Sequence, residues 1–537
     1  MKYVILLLAL VSSAALAGWH SVMVPSTTRI DIEYFHSNGY DIEAVFGSKV
    51  RLYVNELQET ALRNMGYRLF AEEIPAPIVP YPTIAEINAS MNAVVAAHPT
   101  IARIEQIGTS VQGKELYAVI VSDNVSSDEA EPEIRISGNI HGDEKTAGMS
   151  CLNFLEVLTD NYGTSDVCTY VVDNSELWII PIVNPDGYAS STRYNANSID
   201  LNRNCSYMGP GSGGGSTAFS EPETAAMRDI TMQSWPALNN YTHPFATGLS
   251  FHSGAECVNC VWNFSVTEPI QDLEFVTAQG NAYANHPSIS AYYGAGVWDV
   301  WIPGASWYPT NGDVNDWSYG EVGTVDHTIE VSNVKSDPDW PGIANANYMP
   351  MLEFCVTSTY GVYGTVKDGG GAPLDALIEV EKTDGTDSSP LRFCRSDVVD
   401  GGYSKALVPG TYNIVATVAG LGSQSQNGVV VGSEEMVPVN FVFSTGIGDS
   451  ASEGLFVRLS VAPNPVTNAC IFTLPDTGID GSLKIYDISG RTVYEKNISA
   501  GVVAHAFNAG STLPAGVYQV RYISNGLSAS TRMVVAD

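Results

Sequence analysis

Positive charge is what this sequence has least of: 25 Lys and Arg stand against 58 Asp and Glu, a formal net charge of −33. A chain so acidic has no footprint for a phosphate backbone, which excludes nucleic acid as a partner. Long apolar runs are also missing. Beyond the opening residues no stretch is long and apolar enough to cross a bilayer, so no transmembrane segment is expected. The opening itself, MKYVILLLALVSSAALAG, has Lys2, an apolar stretch over 4–11 and the small residues Ala15-Leu16-Ala17. That is the pattern of a signal peptide cut after Ala17. The stretch is too short for an anchor, and no Cys follows it as a lipid attachment site would need. Cysteines number eight, and in an exported chain they imply disulfides or buried thiols. Cys257 and Cys260 form a C-x-x-C with no second pair, which speaks against a zinc knuckle.

Length sets the organisation, because 537 residues exceed one hydrophobic core and call for several domains. After the signal peptide (1–17), residues 18–78 read as a small α/β unit. In it KVRLYV (49–54) is a strand, ELQETALRNMG (56–66) a helix closed by a glycine, and YRLF another strand. PAPIVPYP (75–82) makes a Pro-rich linker. Residues 79–358 alternate helical patterns with short apolar strands, as an α/β sheet domain does. Thr83-x-x-Glu86 opens a helix as a capping box. EIRISGNI (133–140) and LWIIPIV (177–183) are strands, the second apolar enough to be buried on both faces. Residues 359–445 and 446–537 show no good helix and are rich in Val, Thr, Gly and turns, the pattern of two small all-β sandwiches.

Chemistry is offered first by IHGDE, where His141 and Glu144 stand three apart directly after a strand. Both residue types bind zinc, and a catalytic zinc takes three protein ligands while leaving a fourth position for water. On its own an H-x-x-E is as readily a surface His beside an acidic turn. His252, at the end of the apolar run in LSFHSG, offers a third ligand, and a loop histidine would look the same. Between Lys145 and Lys335 the only positive charges are Arg193, Arg203 and Arg228. Two of them lie in the Asn-rich segment 184–204, where Asn202 beside Arg203 adds donors. A guanidinium matches a carboxylate bidentately, so this segment is either a carboxylate-recognition element or a loop pinned by ion pairs. Glu330, in TVDHTIEVS, is either an edge-strand solvent carboxylate or, at a strand end near a metal, a general base.

Together and in this order, six strings resemble one family. They are H-G-D-E, N-P-D-G-Y, R-x-N-x-x-x-I-D-L-N-R-N, F-S-E-P-E-T, F-H-S-G-A and W-Y-P…D-W-S-Y, followed by Glu330. The family is the zinc metallocarboxypeptidases of the carboxypeptidase A, E and D kind, most closely the N/E/D branch. The resemblance implies a mixed-sheet, phosphorylase/hydrolase-like α/β catalytic domain and one zinc held by His141, Glu144 and His252. It implies that Arg193 polarises the scissile carbonyl, and that Asn202 and Arg203 grip the substrate's terminal carboxylate with Tyr319 closing over the bound residue. Glu330 would activate water and pass its proton to the leaving amine. The partner is then the C-terminus of a peptide or protein.

Specificity departs from that branch. An acidic residue eleven positions past the third zinc ligand there reads a basic substrate side chain; here the position is Asn263, and the branch's glutamine is matched by Asn315. A neutral or broad pocket is therefore expected, unless Glu256, Asp313 or Asp326 substitutes. Residues 18–78 resemble the prosegment of bacterial carboxypeptidases, which implies a zymogen. Residues 360–445 look like the transthyretin-like domain that follows this catalytic domain in the branch. The tail, with APNP, IYDISGR and LPAGVYQVRY, is similar to C-terminal sorting domains of the type IX secretion route. That implies a secretion machinery as partner and a place outside the cell or on its surface. A monomer is expected. Two other readings share these residues: a cell-wall peptide amidase or deacylase on the same scaffold, and an inactive peptide-binding surface protein.

Overall fold

The computed structural model of the chain describes residues 20–25, 27–71, 77–127, 129–231, 245–385, 390–444, 459–462, 466–474, 480–487, 491–502, 504–509, 512–524 and 527–536. The expected signal peptide and the boundary expected at 445 lie outside the described residues. Two compact units result: one runs up to Ala416 and includes Ser425–Val442, and the other comprises Thr417–Gln424 and the residues from Phe443 onward.

The first unit opens with a four-stranded antiparallel sheet. Its strands are β1 (His20–Val24), β2 (Asp41–Phe46), β3 (Lys49–Val54) and β4 (Phe70–Ala71), in the order β2-β3-β1-β4. Helices Arg29–Ser37 and Glu56–Asn64 accompany it. The strand and helix expected at 49–66 are present, whereas of YRLF only Phe70 joins a strand. β1 pairs along its whole length with β3 on one edge, and on the other only Val22 and Met23 pair with Ala71 and Phe70 of β4. The buried Leu52 and Val54 of this sheet and Phe35 of helix Arg29–Ser37 share a core with Ala255, Cys257, Trp307 and Tyr308.

Next comes an eight-stranded mixed sheet. It contains β5 (Ala102–Thr109), β6 (Glu115–Val121), β7 (Glu133–Gly138), β8 (Glu176–Ile180), β9 (Thr247–His252), β10 (Ala255–Cys260), β11 (Asp299–Trp301) and β12 (Val325–Ser332). The order is β11-β10-β12-β9-β7-β8-β6-β5. The four central strands β12, β9, β7 and β8 run parallel. β8, the apolar strand expected to be central, is buried at every position. Such strands need cover on both faces, and helices supply it. On one face Phe154 and Leu155 of helix Lys145–Asp160, with Met351 and Leu352 of helix Trp340–Thr359, join Ile136, Leu249 and Ile329. On the other, Met227 and Ile230 of helix Pro222–Thr231 and Trp317 join Trp178 and Ile180. The helix Ile84–Ala97 starts at the expected capping box: Thr83 Oγ1 accepts the Glu86 N–H at 3.3 Å, and the Glu86 carboxylate accepts the Thr83 N–H at 2.7 Å.

Residues 361–443 form two four-stranded sheets, with Val362, Val366, Ile378, Val380, Ile414 and Phe441 buried. The second unit has a three-stranded and a four-stranded sheet around Phe472, Leu483, Phe507 and Val520. The chain thus combines a mixed α/β sheet with all-β sheets that follow it in the sequence. All eight cysteines are buried free thiols. Cys257 and Cys260 stand three apart on β10, so their side chains leave on opposite faces, one into the N-terminal core and the other into the central one.

Candidate metal and peptide-binding site

The carboxyl ends of adjacent parallel strands are where open α/β sheets place their ligands, and three chain segments meet there. β7 ends at Gly138, Asn139 turns through the left-handed region (φ 55°), and His141 and Glu144 follow at the head of helix Lys145–Asp160. The turn passes so close to its neighbour that a Cβ on Gly142 would lie 2.0 Å from the Gly187 carbonyl carbon, so only glycine fits. His252 is the last residue of β9, and Glu330 lies beside it in the β12 register.

His141 Nδ1 is 2.8 Å from Glu144 Oε1, and His252 Nδ1 is 2.9 Å from Glu144 Oε2. One ligand atom from each of the three buried residues lies within 4.8 Å of the others. The second ring nitrogen of His141, Nε2, meets Asp200 Oδ1 at 3.1 Å, a contact of the kind that fixes the tautomer of a metal-bound imidazole. Two histidines and a glutamate are a donor set of catalytic zinc. The buried Glu330 lines the same cleft with its Oε2 unpartnered, a position suited to a water held between it and an ion. These residues therefore fit a zinc ion. Burial, and then the charge of Glu144, push the Glu330 carboxyl well above the usual carboxylate range, while His141, Arg193 and Arg51 pull it back.

Arg193, fully buried, reaches into the cleft from the loop after helix Pro185–Ser190, with Nη1 3.1 Å from His141 Nδ1 and 3.6 Å from Glu144 Oε1. Its Nη2 is held by Asp200 Oδ2 at 2.8 Å. Asn202 and Arg203 sit in the short turn Leu201–Arg203. Asn202 Oδ1 accepts the Val314 N–H at 3.0 Å, which aims its Nδ2 toward His252 at 3.4 Å. Arg203 donates to the Asn202 carbonyl at 2.8 Å and lines the cleft.

Tyr319 is not in the cleft, which corrects the role expected for it. It is wholly buried in the turn Ser318–Val322, where its hydroxyl donates to Asp272 Oδ2 at 2.9 Å and accepts the Asp272 N–H at 3.1 Å. Trp262 packs edge-on against it and the Arg392 guanidinium lies over its ring. The tyrosine that does line the cleft, beside Arg203, is Tyr308. Its only signal in the sequence is the aromatic pair Trp307-Tyr308 in the quoted W-Y-P string.

Asn263 lines the cleft as well, but Asn315 does not: its amide is taken up by Thr328 Oγ1 and the Asn259 carbonyl. Of the three acids that were expected to substitute for the missing one, only Asp313 is at the cleft. Asp326 is ion-paired to Arg135 inside the sheet, and Glu256 lies elsewhere on β10.

The N-terminal sheet covers this site. Asp41 of β2 accepts from Arg193 Nε at 3.1 Å and from the Tyr194 hydroxyl at 2.9 Å. Glu43, at a bulge in the same strand, lines the cleft and pairs with Lys335, which also meets Asp143 at 2.8 Å. Arg51 of β3 donates to the carbonyls of Gly254 at 2.7 Å and Asn333 at 2.8 Å. Two carboxylates, two apart, in the otherwise apolar strand DIEAVF were the signal that could have revealed this.

Comparisons with known proteins agree with this geometry. A family model described as zinc carboxypeptidase matches residues 87–350, and one described as a secretion system C-terminal sorting domain matches residues 460–536. Carboxypeptidase D of Homo sapiens is 30% identical over 419 residues, covering 72% of this chain and 29% of that protein. Carboxypeptidase SOL1 of Arabidopsis thaliana is 28% identical over 418 residues, covering 73% of this chain and 78% of that one. The chain spans less than a third of the length of the carboxypeptidase D relatives it matches. Among solved structures, thrombin activatable fibrinolysis inhibitor shares the fold at a TM-score of 0.51 and 17% identity, over 64% of this chain and 98% of that one.

Proposed function

We propose that the protein is an exported zinc metallocarboxypeptidase that releases the C-terminal residue of peptides, a reading supported by the match of residues 87–350 to a family model described as zinc carboxypeptidase. One observation carries this reading: a buried His141–Glu144–His252 donor set shares its cleft with the unpartnered Glu330 carboxylate and with two guanidinium groups. When bound by the three ligands, zinc supplies Lewis acidity and makes a water acidic near neutral pH. Glu330 takes the proton of the attacking water and delivers it to the leaving amine. Arg193 donates to the carbonyl oxygen as it gains charge. Arg203 and the Asn202 amide hold the terminal carboxylate, with Tyr308 beside them, so that the last peptide bond is presented to the attack.

The same reading makes residues 18–78 an inhibitory prosegment. Asp41 occupies the guanidinium that the reaction needs, and Glu43 fills part of the cleft. Removal at the Pro-rich linker would release both. The match of residues 460–536 to sorting domains supports delivery to the surface or beyond by the type IX route, and residues 359–445 are proposed as a transthyretin-like domain. The test is mass spectrometry of a mixed peptide library incubated with protein lacking residues 1–80, with and without chelator. Stepwise loss of single C-terminal residues, abolished by the chelator, is expected. A library left intact by zinc-loaded protein refutes the reading and moves the search to muropeptides.

A further inference from the structure

The turn Ser318–Val322 continues without a break from the short helix Val314–Trp317. At the head of that helix the Val314 N–H holds Oδ1 of Asn202 at 3.0 Å, and Asn202 is one of the two residues that grip the terminal carboxylate in the carboxypeptidase reading. At the tail, the N–H groups of Gly323 and Thr324 both donate to the Ser318 carbonyl, at 2.9 and 3.1 Å. The next carbonyl, that of Tyr319, is met from outside: Arg392, from the all-β region 361–443, donates its Nε–H to it at 2.9 Å. A cation is favourable at the carbonyl end of a helical segment, and here it closes the segment that aims Asn202.

Arg392 also reaches toward the second gripping residue, Arg203. Its guanidinium lies 6.0 Å from the ring centre of Trp262 and 5.6 Å from that of Tyr319. Trp262 stacks on Tyr207 at 5.1 Å and 9°. The turn presses on the same ring, since a Cβ on Gly320 would come within 2.4 Å of it. Tyr207 lies on the loop that returns to Arg203: the Arg203 carbonyl accepts the Gly211 N–H at 2.8 Å, and a Cβ on Gly214 would lie 1.9 Å from that oxygen. Ser206, next to Tyr207, donates to Glu321 of the turn at 2.8 Å.

The all-β region is fitted to this turn by its backbone as well. A Cβ on Gly323 would lie 1.9 Å from the Phe393 carbonyl oxygen, and Gly323 is left-handed at φ 95°, so only glycine serves there. The buried Asp272 accepts the Arg392 backbone N–H at 3.2 Å and meets Lys405 Nζ at 2.9 Å, beside the Tyr319 hydroxyl. Arg392 Nη1 adds Gln271 Oε1 at 3.3 Å. A planar guanidinium can lie over rings while its edge donates to two acceptors, a task for which lysine is a poor substitute.

We propose that Arg392 is a positioning residue for peptide binding: through the turn 318–322 and the Trp262–Tyr207 stack, the all-β region sets Asn202 and Arg203 at the spacing a terminal carboxylate needs. The inference rests on the carboxypeptidase reading. It makes the region 361–443 part of the binding machinery although none of its residues touches the peptide. Glu330 sits on the central strand β12, outside this brace, so a peptide once bound should react at its usual rate.

The experiment uses the full chain, zinc-loaded and freed of its N-terminal unit by limited proteolysis, with a peptide that the wild type trims. Arg392→Ala should raise KM about tenfold, the worth of one hydrogen bond to a charged group, with kcat within about twofold of wild type. Arg392→Lys keeps a donor for the Tyr319 carbonyl but loses the stacked plane, and should raise KM about threefold; it decides the matter if the alanine variant fails to fold. Inhibition separates positioning from general damage. N-acetylglycine, which offers a carboxylate, should weaken by the same factor as KM rises, whereas acetohydroxamate, which engages the metal alone, should inhibit wild type and variants equally. Arg395→Ala removes a surface pair with Asp375 from the same stretch and should change neither KM nor inhibition. Unchanged KM in every Arg392 variant that folds, or equal weakening of both inhibitors, overturns this inference and leaves the carboxypeptidase reading standing. A wild type that releases no residue from any peptide defeats both.

Discussion

Replacing Asp41 in the uncleaved protein tests the inhibitory contact in isolation. The wild-type carboxylate takes two guanidinium contacts, Nε at 3.1 Å and Nη2 at 3.5 Å, and the Tyr194 hydroxyl at 2.9 Å. Charge-assisted hydrogen bonds contribute about 1.5–3 kcal/mol, neutral ones about 0.5–1.5 kcal/mol. Asp41→Asn keeps a neutral acceptor and should weaken docking of the N-terminal unit by about 1 kcal/mol. Asp41→Ala removes everything, but Arg193 keeps Asp200 at 2.8 Å and is not left as an uncompensated charge. The cost therefore falls near about 2 kcal/mol rather than the ~3–5 kcal/mol of a broken buried pair. At 1.4 kcal/mol per tenfold, the displaced fraction rises roughly 5-fold for Asn and 30-fold for Ala. The assay is the initial rate of residue release by uncleaved protein, referred to the rate of the same protein lacking residues 1–80. The expected order is wild type, Asn, Ala, with the truncated protein as ceiling. The reasoning is refuted if uncleaved wild type already matches the truncated protein, or if Asp41→Ala leaves the rate where it was.

Glu330→Gln should lower turnover by roughly 10²–10⁴-fold while zinc stays bound at one per chain, since the amide cannot carry the proton; metal analysis beside the rate assay checks both halves. Tyr308→Phe should raise KM for peptides with little effect on melting, whereas Tyr319→Phe, which breaks the buried contact with Asp272, should lower Tm and spare KM; the opposite pattern would restore Tyr319 to the site. His327 is buried and its pKa is depressed to about 4 by burial. The unfolded chain therefore takes up a proton below its ordinary value of about 6.5 while the folded one stays neutral. This stabilisation is complete above that pH and lost as pH falls toward 4, by about 2 kcal/mol at pH 5. Urea unfolding at pH 7 and pH 5 should show a smaller pH dependence for His327→Gln than for wild type, and parallel curves would contradict it.

Only the first half of the candidate metal site, His141 and Glu144, is local in the sequence. His141 and Glu144 lie within one turn after a strand, whereas His252 and Glu330 were left open by their own residues and were joined to them only by the order of the family strings; the parallel pairing of β9 with β12 is what sets those two side by side. The all-β character of the C-terminal third followed from its lack of helical period. The tyrosine was misread for the complementary reason. Tyr308 and Tyr319 lie in one segment of mixed aromatic and polar residues with no period to say which ring faces the cleft. The path of that segment over Trp262 and Asp272 decides it.

What the sequence by itself determined is the chemistry available: which side chains can bind a metal, hold a carboxylate or move a proton, and the short-range geometry that presents them at strand ends. What only the tertiary structure decided is who meets whom across long separations. Asp41 lands on Arg193, 152 residues away, and Asp313 and Asp316 lie behind Asn263, some 50 residues away. Periodicity reports which face a residue takes within its own element, but pairing between elements depends on how their buried faces pack, and no local pattern encodes that.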